Sequence, residues 1–458
     1  MGRLLIVSNR LPVTVVRKKG KSNFQPSVGG LATGLASVSK RYSTLWVGWS
    51  GIEMNSEEKI LEARMRSEGM YPVNLSKSEV NGYYHGFCNK TIWPLFHNFP
   101  QYAIYNEKWW DAYKKVNEKF QAVVTEMAES DDIIWIHDYH LMLLPNLLRE
   151  EVSEAKIGFF LHIPFPPFEM FRLLPWRRDL LEGLLGADLI GFHIYDYVQN
   201  FLQCIHRLLG YEHELGRLIV EDRIVKVDAF PMGIDYDKFK SITSSPEVEE
   251  EVKRIRKRLG GRRIILSVDR LDYTKGIPLR LEAFDLFLDK YPEYVGKVTF
   301  VLKLVPSRTR VEHYVQLKKY VDELVGKING KYGDIEWVPV QYIYRFLPLE
   351  KLIALYRAAD IALITPLRDG MNLVAKEFIA SKIDGKGALI LSETTGAAFE
   401  LVEAIIVNPN DKERVAEALK IALEMPEDEQ INRNRTMQER LKRYNVEKWV
   451  EDFIQELD

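Results

Sequence analysis

Charged and histidine-bearing clusters recur at one kind of place in this chain, directly after short apolar runs. Ser8-Asn9-Arg10 follows the run 4–7, His137-Asp138-Tyr139-His140 follows 133–136, and His162 follows 157–161. Further on, Asp269-Arg270 follows 264–268, and Thr365-Pro366-Leu367-Arg368-Asp369-Gly370 follows 361–364. If the runs are strands, these residues stand at carboxyl ends, where open α/β sheets bind their ligands. Solvated turns account for one or two such clusters. The whole set, drawn from both halves of the chain, describes one cleft between two sheets.

The chemistry on offer is the binding of phosphate and sugar. Val28-Gly29-Gly30-Leu31-Ala32-Thr33-Gly34-Leu35 opens a helix, where backbone N–H groups and the helix dipole suit an anion. A tight turn would use the same pair of glycines. In Arg270-Leu271-Asp272-Tyr273-Thr274-Lys275-Gly276 two cations follow a strand at a spacing suited to a diphosphate, or to a surface ion pair. Asp369-Gly370-Met371-Asn372-Leu373-Val374-Ala375-Lys376-Glu377 sets an acid and a glycine at a helix start. Its first N–H groups can cradle phosphate, and Asp369 and Glu377 can accept from hydroxyls; an acid in a first turn is also ordinary capping. Trp46-Val47-Gly48-Trp49, Tyr83-Tyr84 and Trp93 offer stacking faces for a sugar ring, or an aromatic core. His162, set between apolar residues and Pro164, is a satisfied core histidine or a site residue on a rigid loop. Metal-ligand spacing is absent, as are G-x-x-x-x-G-K-[ST] and G-x-G-x-x-G, so neither a P-loop enzyme nor a dinucleotide oxidoreductase is indicated.

These residues need strands and helices to hold them. Continuous apolar runs at 4–7, 44–47, 133–136, 157–161, 189–192, 226–229, 264–268, 297–304, 361–364 and 388–391 suit parallel strands covered on both faces. Helical periodicity lies between them, at 109–128, 177–185, 195–208, 278–290 and 310–325. The alternation predicts an α/β architecture of doubly wound parallel sheets. Polar residues after Pro231-Met232-Gly233-Ile234-Asp235 mark a seam, giving domains at 1–237 and 238–440 and a C-terminal helix in 441–458. That helix carries an apolar stripe of Val446, Trp449, Val450, Phe453, Ile454 and Leu457.

Composition narrows the classes. The chain has 458 residues, with 63 Lys+Arg against 65 Asp+Glu and a formal charge of −2, so nothing attracts a polyanion such as nucleic acid. Two cysteines, Cys88 and Cys204, suit a reducing compartment. No apolar run approaches the ~18 residues a membrane-spanning helix needs, and residues 1–7 lack the apolar stretch of a signal peptide. A cytoplasmic globular protein is expected.

In this order the motifs resemble the trehalose-6-phosphate synthases, retaining nucleotide-sugar glycosyltransferases of family 20. The resemblance runs nearly end to end. It includes Trp46-Val47-Gly48-Trp49-Ser50-Gly51, Ile134-Trp135-Ile136-His137-Asp138-Tyr139-His140-Leu141 and Gly158-Phe159-Phe160-Leu161-His162-Ile163-Pro164-Phe165-Pro166. It continues through Arg270 to Gly276, Ile328-Asn329-Gly330-Lys331-Tyr332-Gly333 and Thr365 to Glu377. The resemblance implies a GT-B fold, two Rossmann-like domains facing across a cleft. It implies transfer of glucose from a nucleoside-diphosphate glucose, UDP-glucose foremost, to glucose 6-phosphate with retained α configuration. No metal or cofactor is implied, and a dimer or tetramer is.

By the same resemblance Gly30 would lie against the donor diphosphate, which Arg270 and Lys275 would grip. Asp369 would hold donor hydroxyls, Met371, Asn372, Leu373 and Val374 the sugar and phosphate through their backbone, and Glu377 the ribose. Arg10, Tyr84, Trp93 and Arg308 would bind the acceptor phosphate. Trp46, Asp138 and His162 would orient the sugars, with His162, Asp138, Arg270, Lys275 and Asp369 forming the catalytic set. Two departures stand out: the basic segment Arg17-Lys18-Lys19-Gly20-Lys21, and a shifted frame around Arg308 that makes Arg310 its alternate. No D-x-D-G-T segment announces a fused phosphatase. A glucosylglycerol-phosphate synthase, a cyclitol-phosphate transferase and a silent sugar-phosphate sensor are the other readings. All the cleft charges that a sensor would be expected to lose are present.

Overall fold

Uninterrupted Ile, Leu, Val and aromatic runs become strands that helices cover on both faces. A computed structural model describes residues 2–18, 21–26, 42–54, 59–308 and 311–458. The chain forms two units, Met1–Met232 with Val446–Asp458, and Gly233–Asn445.

The first unit contains β1 (Leu4–Arg10), β2 (Val13–Lys18), β3 (Lys21–Pro26), β4 (Thr44–Trp49), β5 (Met70–Pro72), β6 (Ile133–His137), β7 (Lys156–Phe160), β8 (Leu189–Phe192), β9 (His213–Glu214), β10 (Arg217–Val220) and β11 (Arg223–Ala229). Among the described residues, β2 and β3 form a hairpin and the rest a nine-stranded sheet of order β5-β4-β1-β6-β7-β8-β11-β10-β9. It is parallel from β5 through β11; β10 and β9 add to it antiparallel. Strand order runs outward in both directions from β1, so the switch point where such sheets bind ligands lies at the carboxyl ends of β1 and β6. Ser8 pairs with His137 there.

The second unit contains β12 (Arg263–Arg270), β13 (Val298–Val305), β14 (Val340–Tyr344), β15 (Ile361–Ile364), β16 (Ala388–Ser392) and β17 (Ile405–Val407). They form an all-parallel sheet of order β14-β13-β12-β15-β16-β17. Its switch point falls between β12 and β15, beneath Arg270–Gly276 and Thr365–Asn372.

The helix Val446–Leu457 belongs to the first unit. All six residues of its stripe are buried, Trp449 Nε1 donates to Phe230 O at 3.1 Å, and Phe453 stacks on Trp135. Two strand glycines make the room: a Cβ at Gly158 or Gly191 would stand 2.6 or 2.7 Å from the Phe453 ring. The seam lies at Met232/Gly233 rather than 237/238. Asp235 caps the helix Tyr236–Thr243, whose Tyr236 and Phe239 are buried in the second unit's core, so that helix belongs downstream. The chain leaves the second unit after Asn445, five residues past the expected 440. Among the described residues no helix is long and apolar enough to cross a membrane.

Candidate active site

In the first unit, β1 carries Arg10 out of the sheet. Its guanidinium carbon stands 4.2 Å from the Trp49 ring centroid and 5.8 Å from that of Tyr84. Burial pulls its pKa down from the ordinary arginine value. A desolvated cation held on aromatic faces interacts more strongly with an anion than one in water. Gly51 allows the approach: its φ is +89°, and a Cβ there would meet Arg10 Nη1 at 2.8 Å. Tyr84 lies on a π-helix, Asn81–Ile92, and stacks on His140 at 5.8 Å with an interplanar angle of 13°. Trp46 and Trp93 are buried, 7% and 5% exposed, and Trp93 lies beside the rings of His97 and Tyr139.

Asp138 follows β6 with φ +75°, a strained conformation for a non-glycine residue. Its N–H donates to Phe160 O at 2.8 Å, and its Oδ1 accepts from His162 N–H at 3.3 Å, which ties the ends of β6 and β7 together. His162 packs among the rings of Phe160, His193 and Trp449. Burial drives its pKa down to about 3, so it is a neutral imidazole at ordinary pH.

In the second unit the loops after β12 and β15 interlock. Leu367 N–H donates to Thr274 O at 2.8 Å, and Lys275 Nζ donates to Asp369 Oδ2 at 2.6 Å. Asn372, with φ +78°, donates from Nδ2 to the same Asp369 oxygen at 2.9 Å and accepts from Ala375 N–H at 3.1 Å. It thereby caps the helix Leu373–Ser381, whose N-terminus is a natural anion site beside Lys275. Arg270 is the exposed last residue of β12. Met371 is buried, Leu373 and Val374 half-buried. Glu377 accepts from Tyr356 OH at 2.8 Å, and burial raises its pKa to about 7.

Arg308, with φ +46°, donates from Nη1 to Asp272 Oδ2 at 3.0 Å, where Tyr314 OH also donates at 2.9 Å. Asp272 is fully buried, and its other oxygen accepts from Thr274 N–H and Oγ1. Arg308 is thus anchored to the Arg270–Gly276 loop. Gly30 and Arg310 lie outside the described residues, as does part of the basic segment near residue 19.

Gly276 makes the loop's reversal possible. Its φ is +64°, and a Cβ would stand 2.8 Å from Thr365 O. Gly276→Ala is expected to cost about 1–3 kcal/mol and to push Lys275 away from Asp369. Unchanged thermal unfolding together with unchanged turnover would contradict this.

One residue that sequence reasoning passed over organises the site. Arg280, 1% exposed, donates from Nε to Thr365 Oγ1 at 3.1 Å and from Nη1 to Asp269 Oδ2 at 2.7 Å and to Ser267 Oγ. From Nη2 it donates to Lys275 O at 2.9 Å, so one guanidinium braces both strands and the lysine loop. Its signal was available: Arg280 occupies the i+3 position of the buried stripe Ile277, Arg280, Leu281, Phe284, a charge inside an apolar face.

The model of glycosyltransferase family 20 matches residues 2–458. The chain is 51% identical to the bifunctional trehalose-6-phosphate synthase/phosphatase of Thermoproteus tenax, over 99% of this chain. It spans 63% of that relative's length. An alpha,alpha-trehalose-phosphate synthase (UDP-forming) from Burkholderia xenovorans, solved in complex with glucose-6-phosphate, superposes with a TM-score of 0.90 at 34% identity, covering all of both chains. An E. coli protein solved with UDP-2-fluoro glucose gives a TM-score of 0.91 at 35% identity, covering 100% of this chain and 99% of that one. With a family match from end to end and the α/β units that carry these motifs at their strand ends, the chain belongs to glycosyltransferase family 20.

Proposed function

We propose that this protein transfers glucose from a nucleoside-diphosphate glucose, UDP-glucose foremost, to glucose 6-phosphate, yielding α,α-trehalose 6-phosphate and the nucleoside diphosphate in trehalose biosynthesis. The observation that carries this reading is the interlocked Lys275, Asp369 and Asn372 at the second unit's switch point, with a helix N-terminus beside them. A diphosphate sugar needs cations and N–H groups next to a carboxylate that accepts from hydroxyls, and the three residues supply that combination.

In this reading Arg270 and Lys275 take up the charge that grows on the leaving phosphate as the bond to the sugar's anomeric carbon breaks. The acceptor hydroxyl attacks from the same face, its proton passing to the departing phosphate oxygen while the new glycosidic bond forms. Asp369 holds donor hydroxyls, the backbone from Met371 to Val374 the sugar and phosphate, Gly30 the diphosphate, and Glu377 the ribose. Arg10, Tyr84 and Trp93, with Arg308 or Arg310, receive the acceptor phosphate, and Trp46, Asp138 and His162 orient the sugars. A neutral His162 serves as a hydrogen-bonding group and not as an acid. We further propose a cytoplasmic enzyme that assembles as a dimer or tetramer.

The test is nucleoside diphosphate release from a panel of UDP-, ADP- and GDP-glucose donors, with glucose 6-phosphate as acceptor and glycerol 3-phosphate as the competing acceptor. Release with UDP-glucose and glucose 6-phosphate supports the reading. No release with any donor favours a sensor, and preference for glycerol 3-phosphate replaces the acceptor.

Glu377 adds a pH signature. With a pKa near 7 it is protonated below neutrality and ionised above, and the ionised form is the stronger acceptor for ribose hydroxyls. Donor KM is therefore expected to fall by roughly tenfold between about pH 6 and about pH 8 in wild type, and to stay flat in Glu377→Gln. The shift has an opposite sign for folding. A raised carboxyl pKa means that the native state binds more protons than the unfolded one, so stability declines as pH rises from the ordinary carboxylate range to about 7. A pH-independent donor KM in wild type would remove Glu377 from the ribose site.

A further inference from the structure

Behind His162 the first unit holds a second imidazole that the scheme above leaves unused. His137 ends β6 and is fully buried. Its ring stands 4.5 Å from that of Trp135, two residues back on the same face of the strand, and 6.5 Å from that of Trp449. His137 Nδ1 lies 3.1 Å from His162 Nε2, so one of these nitrogens carries the proton and the other accepts it. Burial, with His162 alongside, holds His137 well below the ordinary imidazole range, and burial holds His162 near 3. Both rings are neutral at physiological pH.

Two proton arrangements satisfy that contact, and the far side of His137 decides between them. His137 Nε2 is buried without a hydrogen-bond partner. If His162 Nε2 donated, His137 would carry its own proton on Nε2 as a buried N–H with no acceptor. If His137 Nδ1 donates, Nε2 keeps only a lone pair. Orphaned buried N–H groups are rarer in folded proteins than under-satisfied acceptors. Trp135 Nε1, also buried without a partner, is a donor only, so a proton on His137 Nε2 would leave two donors and no acceptor on this face.

We propose that His137 is a positioning residue that donates from Nδ1 to His162 Nε2 and fixes His162 as its Nδ1–H tautomer. His162 then presents a hydrogen-bond donor to substrate. The atom that it recognises is an oxygen lone pair on a sugar, a hydroxyl or ring oxygen, and a group with only N–H donors is refused. The role at a sugar rests on the proposed function; the tautomer does not.

The experiment is long-range 15N–1H NMR of the full chain labelled at histidine, near neutral pH and without substrate. The signals are assigned by difference with His162→Gln and His137→Asn. His162 is expected to show a protonated Nδ1 and a bare Nε2. A protonated Nε2 overturns the proposal. His137→Asn, which keeps a donor at the Nδ1 position, is expected to retain the Nδ1–H pattern. His137→Asp, which only accepts, is expected to shift His162 to Nε2–H. In turnover, loss of one such hydrogen bond corresponds to about tenfold in kcat for His137→Leu with KM little changed, and His137→Asn is expected within about twofold of wild type. Equal kcat in wild type and His137→Leu overturns the positioning role. If His137→Leu does not fold, the wild-type spectrum and the Asn and Asp variants still decide. Should the chain fail to turn over any donor, the tautomer pattern would remain testable and the proposed function alone would fall.

Discussion

Lys275→Ala is expected to lower kcat by on the order of a thousandfold with a much smaller change in donor KM. The expectation follows from where the charge sits. Lys275 is 9% exposed, its ammonium held at 2.6 Å from Asp369 by a loop that Arg280 and Gly276 fix in place. A cation fixed in a site that excludes water is worth most where charge develops, on the leaving diphosphate, and least where charge is already spread in the ground state. Loss therefore falls on kcat rather than on binding. Arg270 is the exposed last residue of β12. Arg270→Ala is expected to be milder than Lys275→Ala, because the more exposed cation is better screened. The measurement is steady-state nucleoside diphosphate release at saturating glucose 6-phosphate, with thermal unfolding run in parallel to separate lost chemistry from lost fold. A kcat within tenfold of wild type for Lys275→Ala would remove it from the leaving-group site.

How much of this was legible in the sequence depended on whether local pattern and tertiary structure asked for the same residues. Strands buried on both faces need uninterrupted apolar runs, so β1, β6, β7, β12 and β15 could be read directly. The chemistry followed, because polar residues at their carboxyl ends had no packing reason to be there. The helix Val446–Leu457 was equally plain, since its stripe must be covered. Its seat was not, because Gly158 and Gly191 become meaningful only once Phe453 is seen against them. Short or edge strands were missed for a related reason. Among them, β17 has three residues, and β14 is half-buried along most of its length, so neither shows a distinctive run. The helix Glu312–Tyr332 runs past the expected 325 and absorbs most of the Ile328–Gly333 motif. At the site, Lys275 and Asp369 were found as charges after strands. Their partnership with each other is a contact across 94 residues that no local pattern encodes, whereas Asn372 reaches Asp369 from only three residues away. The proton arrangement of His137 and His162 was likewise hidden, because a tautomer is set by what lies behind a ring and not by its neighbours in sequence.

Arg280→Leu is expected to destabilise the second unit by about 3–5 kcal/mol, the range for removing one partner of a buried ion pair. Arg280 and Asp269 have side chains 0% and 2% exposed and meet at 2.7 Å. Burial raises the Asp269 pKa even with Arg280 and Lys275 opposing it, so loss of the guanidinium leaves a carboxyl that must take a proton or remain uncompensated. Lys303, also buried, is drawn down to about 8 by desolvation while Asp269 opposes that shift, and it becomes a remaining counter-charge in the variant. Leucine also abandons Thr365 Oγ1, Ser267 Oγ and the Lys275 carbonyl, so the β12 and β15 ends lose their common brace. The change is best read by native-state hydrogen exchange along β12 and the helix Ile277–Lys290, where protection should fall by roughly two to four powers of ten. The first unit's β6 and β7 serve as the internal control. A double variant, Arg280→Leu with Asp269→Leu, separates the two contributions. If the penalty is mainly the stranded carboxyl, the double variant should recover most of the lost stability, yet its kcat should stay low because the Lys275 loop remains unbraced. Recovery of both together would mean that Arg280 only neutralises Asp269. Recovery of neither would mean that the packing of the brace, and not its charge, holds the site, and a loss below about 1 kcal/mol in the single variant would contradict the assignment outright.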